Sequence, residues 1–210
     1  MPVKNDARST MFGLSAHADL YHRLTHRLFG PLHRRIVTDI TATTPPGSVR
    51  ILDAGTGPGR LPLAIAQAAA HLRIDGVDLS PAMIAAARRD CTAAGLDARV
   101  TFEVADVAGL PYPDATFDLV VSSMSLHHWA DPPAAMRDLR RVLRPAGQIW
   151  IYDARPVLRR GVIAARATFP HHRVQTEAVR TGWLPIAVLG RLLVRRYVPT
   201  TVDPEGGGIH

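Results

Sequence analysis

The sequence predicts an α/β fold built on a mainly parallel sheet, and three observations predict it. Apolar runs alternate with helical patterns through the middle of the chain, as successive βαβ units do. Those runs are apolar and β-branched, which suits strands covered by helices on both faces. Boundary residues fall where helices should start and stop. Pro81 and Pro132 fit first helical turns with Ser80 and Asp131 as caps, and Gly95 fits a helix end.

Taken in order, Leu14 to Thr41 carries a helical pattern interrupted at Gly30-Pro31, read as two N-terminal helices. Thr43 to Ser48 then serves as a linker. Strands are expected at Val49–Ala54, Arg73–Leu79, Val100–Ala105, Phe117–Ser123 and Gly147–Asp153. Helices are expected at Leu61–His71, Pro81–Ala94 and Pro132–Leu143. Val174 to Thr181 reads as a further helix. Pro185–Gly190 and Leu192–Val198 read as a closing hairpin turning near Gly190-Arg191, and the terminal DPEGGGIH as a mobile tail. The whole is read as one domain: residues 1–45 form a helical lid and linker, 46–200 the core and closing hairpin, and 201–210 the tail.

A chain of 210 residues is ordinary for one such domain. The single cysteine, Cys91, lies in a helical pattern. It excludes an internal disulfide and a multi-cysteine metal site, and it suits a reducing cytoplasm. No metal is expected. No apolar stretch reaches the ~18–20 residues a bilayer span needs, and Trp183 to Gly190 is far too short. The first ten residues lack the apolar region of a secretory signal. The formal charge is +7, with Lys4 the sole lysine. Nine arginines and one acid, Glu177, lie between Arg155 and Arg196. Such a surface suits an anionic acceptor, nucleic acid or a peripheral contact with an anionic membrane. No aromatic residues interleave with the arginines, which argues against a specific nucleic-acid partner.

The chemistry is concentrated in ILDAGTGPGRLPLAIA. A strand ends near Asp53, glycines follow at Gly55, Gly57 and Gly59, and a helix begins. Such a turn lets a ligand approach the backbone, and the free N–H groups of the new helix suit a carboxylate or phosphate. Alone it is also what any tight β–α connection looks like. The next strand ends at Asp78, whose carboxylate can accept from two vicinal ribose hydroxyls. Turn and carboxylate together indicate an adenosine-containing ligand. The dinucleotide fingerprint G-x-G-x-x-G is not met. The third glycine comes one position early, and Arg60 stands where glycine or alanine is wanted. The spacing therefore favours S-adenosylmethionine (SAM) over a nicotinamide dinucleotide.

The run from Arg50 to Asp153 resembles the core of class I SAM-dependent methyltransferases. It is most similar to the small-molecule branch that includes ubiquinone/menaquinone-biosynthesis C-methyltransferases. The resemblance rests on LDAGTGPG, VDLSPAMIAAAR, ADVAGLPYPDATFDLVVSSMSLHHWADP and LRRVLRPAGQIWIYD, in that order. It implies an open, Rossmann-like seven-stranded sheet in the order 3-2-1-4-5-7-6, the last strand antiparallel. It also implies a SAM-dependent methyltransferase acting on oxygen or carbon of a small-molecule acceptor, with S-adenosylhomocysteine as product. By resemblance, Gly55, Thr56, Gly57 and Gly59 line the methionine end, with Asp53 shaping the turn. Asp78 binds the ribose, Leu79 and Met83 pack on the adenine, and Asp106 with the Val107 backbone meets the adenine edge. Ser123 faces the methionine end, and Asp118 supports the architecture.

His127 and His128 follow the fourth strand on the edge where open α/β sheets bind ligands. Either is a candidate general base, although the LHH of the similar branch often shapes the SAM pocket. His17, Tyr21 and His172 are candidate acceptor-binding residues, since substrate recognition is expected outside the core. Two alternatives stand beside this reading: a nucleic-acid or protein methyltransferase, and a SAM-binding protein that transfers no methyl group. Ser123-Met124-Ser125-Leu126 replaces the Asn-Pro-Pro-Tyr-like motif of adenine N-methylation. Cys91 sits in a helical pattern away from the ligand edge, which disfavours covalent cytosine chemistry.

Overall fold

The computed structural model describes residues 30–45, 47–181 and 188–196. A helix over 30–43 (α1) leads into β1 (Val49–Ala54), α2 (Arg60–Ala68), β2 (Leu72–Asp78), α3 (Pro81–Ala93), β3 (Val100–Val104) and β4 (Phe117–Ser123). A 3₁₀ turn at Leu126–His128 precedes α4 (Pro132–Val142), β5 (Leu143–Ala154), α5 (Arg155–Thr168), β6 (His172–Val179) and β7 (Leu189–Arg196). The seven strands form one sheet in the order β3-β2-β1-β4-β5-β7-β6. Pairing is parallel from β3 through to β5, and β7 runs antiparallel to both β5 and β6. This is the sheet that the resemblance implies.

Two apolar layers hold helices on the two faces. On one face Leu32, Ile36 and Ile40 of α1, Leu61 and Ile65 of α2, and Ile84 and Ala87 of α3 pack with Ile51, Ile74, Leu119, Val121 and Trp150. On the other, Met136 and Leu139 of α4 and Leu158, Ala164 and Ala165 of α5 pack with Leu52, Val120, Ile149, Ile151, Leu192 and Val194. Neighbouring strand residues go to opposite layers, as the two-residue period requires. The caps fall where the sequence places them. Ser80 Oγ accepts from Met83 N–H at 3.4 Å, and Asp131 Oδ1 accepts from Ala134 N–H at 2.9 Å.

The C-terminal third differs from the sequence expectation. Val174 to Thr181 is not a helix, because His172–Val179 is strand β6. Its Val174 packs on one layer and Val179 on the other, so a strand uses both where a helix would bury one stripe. The expected turn at Gly190-Arg191 lies inside β7, opposite Asp153 and Tyr152 of β5. Gly190 is there for close approach and not for a turn. A Cβ would stand 2.8 Å from Leu158 Cδ1 and 3.0 Å from the Glu177 carbonyl oxygen. The hairpin is therefore β6 with β7. Residues 185–187 of the expected PIAVLG strand lie outside the described residues, as do the expected first N-terminal helix, residues 197–198 and the tail. Helix α5, with β-branched Val157, Val162 and Ile163, went unread in the sequence. Strand β5 also begins earlier than Gly147, with a register shift opposite Phe117 and Leu119.

Helix α1 is tied down by a polar network as well as by its apolar stripe. Tyr152 Oη donates to Asp39 Oδ2 at 3.1 Å, and Arg191 Nη1 donates to the same oxygen at 3.3 Å. Arg191 Nη2 donates to Glu177 Oε2 at 2.6 Å, and its guanidinium lies 5.0 Å from the Trp150 ring centroid. One arginine thus joins α1, β5, β6 and β7. Asp39→Ala leaves the buried Tyr152 hydroxyl without its acceptor and Arg191 half-paired. It is expected to lower the unfolding free energy by about 1–3 kcal/mol, measured by urea denaturation.

Candidate functional site

The site is built at the edge where β1, β2, β4 and β5 end. The β1–α2 turn is fastened to β2, because the N–H groups of Gly55 and Thr56 both donate to the Val77 carbonyl, at 2.9 and 2.8 Å. Gly55 and Gly59 adopt φ of 76° each, in the left-handed region. Space forbids a side chain at either. A Cβ on Gly55 would overlap Ser125 Oγ, and one on Gly59 would sit 2.7 Å from Phe102 Cζ and 2.8 Å from Ala87 Cβ. At Gly57 none of the described residues lies within 4 Å of the Cβ position, so they leave the turn open on that side. Helix α2 begins here with Gly59 as its N-cap, no side-chain cap and no acid in its first turn. Its positive dipole end adjoins the glycine turn, a setting that suits an incoming anion.

Two carboxylates lie beside the turn. Asp53 is 1% exposed; Thr56 Oγ1 donates to its Oδ2 at 2.7 Å, while Oδ1 is buried without a partner among the described residues. Burial pushes the Asp53 carboxyl up to about 7; the Thr56 hydroxyl opposes the shift and neighbouring Asp78 adds to it. Asp78 ends β2, its Oδ2 accepting from Gly57 N–H at 2.8 Å and its Oδ1 from Ser80 N–H at 2.9 Å. Each oxygen keeps a second lone pair. Leu79, next in line, is 70% exposed, which is unusual for a large aliphatic beside a core strand. Met83 is half-buried in the first turn of α3. Asp106 is exposed, its Oδ1 accepting from Ala108 N–H at 2.9 Å, and Val107 is buried.

Strand β4 ends at Ser123, whose hydroxyl is buried without a partner among the described residues. Met124, at φ 53°, bends the chain, and Ser125 Oγ accepts from Trp129 Nε1–H at 2.9 Å. The 3₁₀ turn then presents His127 to Asp153 at the end of β5. His127 Nδ1 lies 3.0 and 3.2 Å from the two carboxylate oxygens, and its backbone N–H donates to Oδ2 at 3.3 Å. Ala154 N–H donates to Oδ1 at 2.7 Å. Asp153 is 1% exposed, whereas the His127 side chain is about a third exposed, with the His128 ring 4.0 Å from its own.

The structure brings most sequence candidates to this edge: Asp53, Gly55, Thr56, Gly57, Gly59, Asp78, Leu79, Met83, Asp106, Val107, Ser123, His127 and His128. It does not bring His172. That residue opens β6 opposite Arg196, at the other end of the sheet from Asp153 and Gly190. It stacks edge-on against Phe169 at 5.0 Å. His17 and Tyr21 lie outside the described residues. Asp118 stands away from the edge, accepting from Arg50 N–H and Arg144 Nη1. Sequence reasoning missed Asp153 as a site residue. Its signal was an acid ending a buried apolar strand, the position that Asp53 and Asp78 share.

The positive dipole end of α2, and the Asp53 oxygen left unpartnered among the described residues, suit the carboxylate and ammonium of one amino-acid moiety. Open Gly57 and exposed Leu79 leave room and an apolar surface beside it. The residues present thus fit a SAM molecule. Residues 51–147 match a family model described as a methyltransferase domain. The chain is 37% identical over 123 residues to the demethylmenaquinone methyltransferase of Thermus thermophilus, covering 59% of this chain and 54% of that protein. It is 37% identical over 131 residues to the 27-O-demethylrifamycin SV methyltransferase of Amycolatopsis mediterranei, covering 62% and 44%. The chain thus spans about half the length of these curated relatives. A crystal structure of a Methanococcus maripaludis protein superposes with a TM-score of 0.70 at 19% identity, over 88% of this chain and 94% of that one, and so shares its fold.

The raised Asp53 pKa has a defined effect on stability. Folding favours the protonated acid, so the contribution is fully present below its unfolded value of 3.8 and is lost as pH rises to about 7. Relative to an Asp53→Asn variant, the ligand-free protein is expected to lose up to about 4 kcal/mol of unfolding free energy across that window. Denaturant unfolding of both proteins at pH 5 and pH 8 checks this. A wild-type curve that tracks the variant at both pH values contradicts it.

Proposed function

We propose that this chain, which carries the methyltransferase domain matched over residues 51–147, transfers a methyl group from SAM to an oxygen or carbon of a small-molecule acceptor. The acceptor is of quinone-precursor or secondary-metabolite type, and S-adenosylhomocysteine is the product. One observation carries the reading. The β1–α2 turn, Asp53, Asp78 and the His127–Asp153 pair converge on one sheet edge, locked together by the packing of Gly55 on Ser125. Relatives named for demethylmenaquinone and for 27-O-demethylrifamycin SV support the acceptor class. Cytoplasmic residence is part of the same reading. Among the described residues no helix is long and apolar enough to cross a membrane.

When bound, SAM supplies an electrophilic methyl group on a sulfonium. The glycine turn before α2 and Asp53 would hold its amino-acid end, and Asp78 would accept from its ribose. Leu79 and Met83 would pack on its adenine, with Asp106 and the Val107 backbone at the adenine edge. The chain's own part in transfer is to align the acceptor and exclude water. In the Nδ1–H tautomer His127 donates to Asp153, which leaves Nε2 to take a proton from an acceptor hydroxyl. Asp153 is the positioning residue and His127 the base.

Two measurements test the reading. Asp78→Ala is expected to weaken SAM by about 1.5–3 kcal/mol, the scale of lost charge-assisted hydrogen bonds, in isothermal titration. Unchanged affinity removes the cofactor assignment. With labelled SAM and quinol, phenol and polyketide acceptors, His127→Ala is expected to lower kcat about 10²–10⁴-fold with SAM affinity retained. Asp153→Asn should follow it with a displaced pH–rate profile, and His128→Ala should act weakly. Loss of kcat and SAM affinity in parallel means that His127 only shapes the pocket. SAM binding with no methylated product from any acceptor favours a binding protein that transfers no methyl group.

A further inference from the structure

Helix α5 turns outward a basic face that carries one exposed aliphatic side chain. Leu158, Gly161, Ala164, Ala165 and Thr168 face the sheet, while Arg155, Arg159, Arg160, Ile163 and Arg166 are exposed. Helical spacing sets Arg155, Arg159, Ile163 and Arg166 in one stripe. The helix has no acidic residue, and among the described residues none of its arginines forms an ion pair. Ile163, in the middle of the stripe, is 71% exposed.

The neighbouring helix extends the charge. Arg137, Arg140 and Arg141 of α4, with Pro133, Ala167 and Thr168, line a groove of about 520 Å³. Arg141 is neutralised by Asp138 and Asp114, whereas Arg140 donates only to the Thr168 carbonyl and Arg137 has no carboxylate partner among the described residues. The same field is felt by His172. Burial first, and then Arg140, Arg196 and His171, hold its imidazole below the usual histidine range.

We propose that this face docks the protein on an anionic lipid surface, the arginines of α5 and α4 meeting headgroup phosphates and Ile163 entering the acyl boundary. An acidic protein or a nucleic acid would satisfy the arginines and leave Ile163 in water or against charge. A lipid interface accepts both the cations and the aliphatic side chain. The face lies off the cofactor edge, so the inference stands whether or not methyl transfer does. Helix α5 also abuts the histidine turn, since a Cβ on Gly161 would stand 2.9 Å from Leu126 Cδ2. Docking there holds the acceptor side of the molecule near the lipid.

The test is co-sedimentation of the full chain with vesicles of phosphatidylcholine alone or with added phosphatidylglycerol, at low and raised salt. Binding is expected only with phosphatidylglycerol, weakening with salt. Arg159→Glu with Arg160→Glu should lower the partition about 25-fold or more, from about five-fold per arginine near such a surface. Ile163→Ser, which leaves the charge unchanged, should lower it several-fold. All three positions face solvent, so the far-UV spectrum, Tm and SAM affinity of each variant should match the wild type. No binding to phosphatidylglycerol vesicles overturns the proposal. So does an Ile163→Ser variant that binds as the wild type does, or a duplex DNA that displaces the vesicles.

Discussion

The close approach of the β1–α2 turn to its neighbours is the constraint on which the rest of the site depends. Gly55 meets Ser125 on one side, and Gly59 meets Phe102 and Ala87 on the other, with no room for a methyl group at either position. Interiors packed this densely transmit displacement instead of absorbing it. Fixing the turn therefore fixes the start of α2, the end of β2 through the Val77 carbonyl, and the loop after β4 through Ser125. Ser125 in turn holds Trp129, and the 3₁₀ turn between them carries the two histidines. The cofactor edge and the acceptor edge are thus one packed unit.

The electrostatics of that unit run against the stability of the ligand-free chain. Asp53 is buried with one oxygen unpartnered, close enough to Asp78 to feel its charge, and it holds its proton far above the ordinary aspartate range. A stability-optimised turn would carry Asn or an apolar residue there, or pair the oxygen. Leu79 and the Ser123 hydroxyl show the same mismatch, one apolar and exposed, the other polar, buried and unsatisfied. All three lie at the same sheet edge, where a ligand with a cationic end and a flat apolar ring would resolve them together. The mismatches therefore read as pre-organisation for such a ligand.

The parallel core was legible in the sequence because its signals are local. Each strand is a short β-branched run, α3 and α4 each start at a capped proline, and the glycine turn with Asp78 has a spacing that separates SAM from dinucleotide sites. The C-terminal third was not, because its decisive contacts are distant. Gly190 looks like a turn residue until Leu158 and the Glu177 carbonyl are seen against it. Val174 to Thr181 looks helical until its valines are divided between two layers. Asp153 escaped notice because its partner His127 is 26 residues away, brought near only by the parallel pairing of β4 with β5. His172 was drawn into the site because substrate recognition was expected in the segment after the fifth strand, and the antiparallel register of β6 and β7 carries it to the opposite end.

Asp153 also explains why the histidine turn and α5 behave as one piece. Its carboxylate accepts from the His127 backbone, faces the His127 ring and accepts from Ala154 N–H, the residue immediately before α5. The side chain that orients the proposed base therefore also directs the first turn of the basic helix. A second contact closes the loop, since Gly161 of α5 lies against Leu126, the residue before His127. Two attachments, one polar and one packed, couple the outward face of α5 to the imidazole. Leu126 also adjoins Ser125, which packs on Gly55, so a displacement of α5 would reach the imidazole and the glycine turn through the same loop.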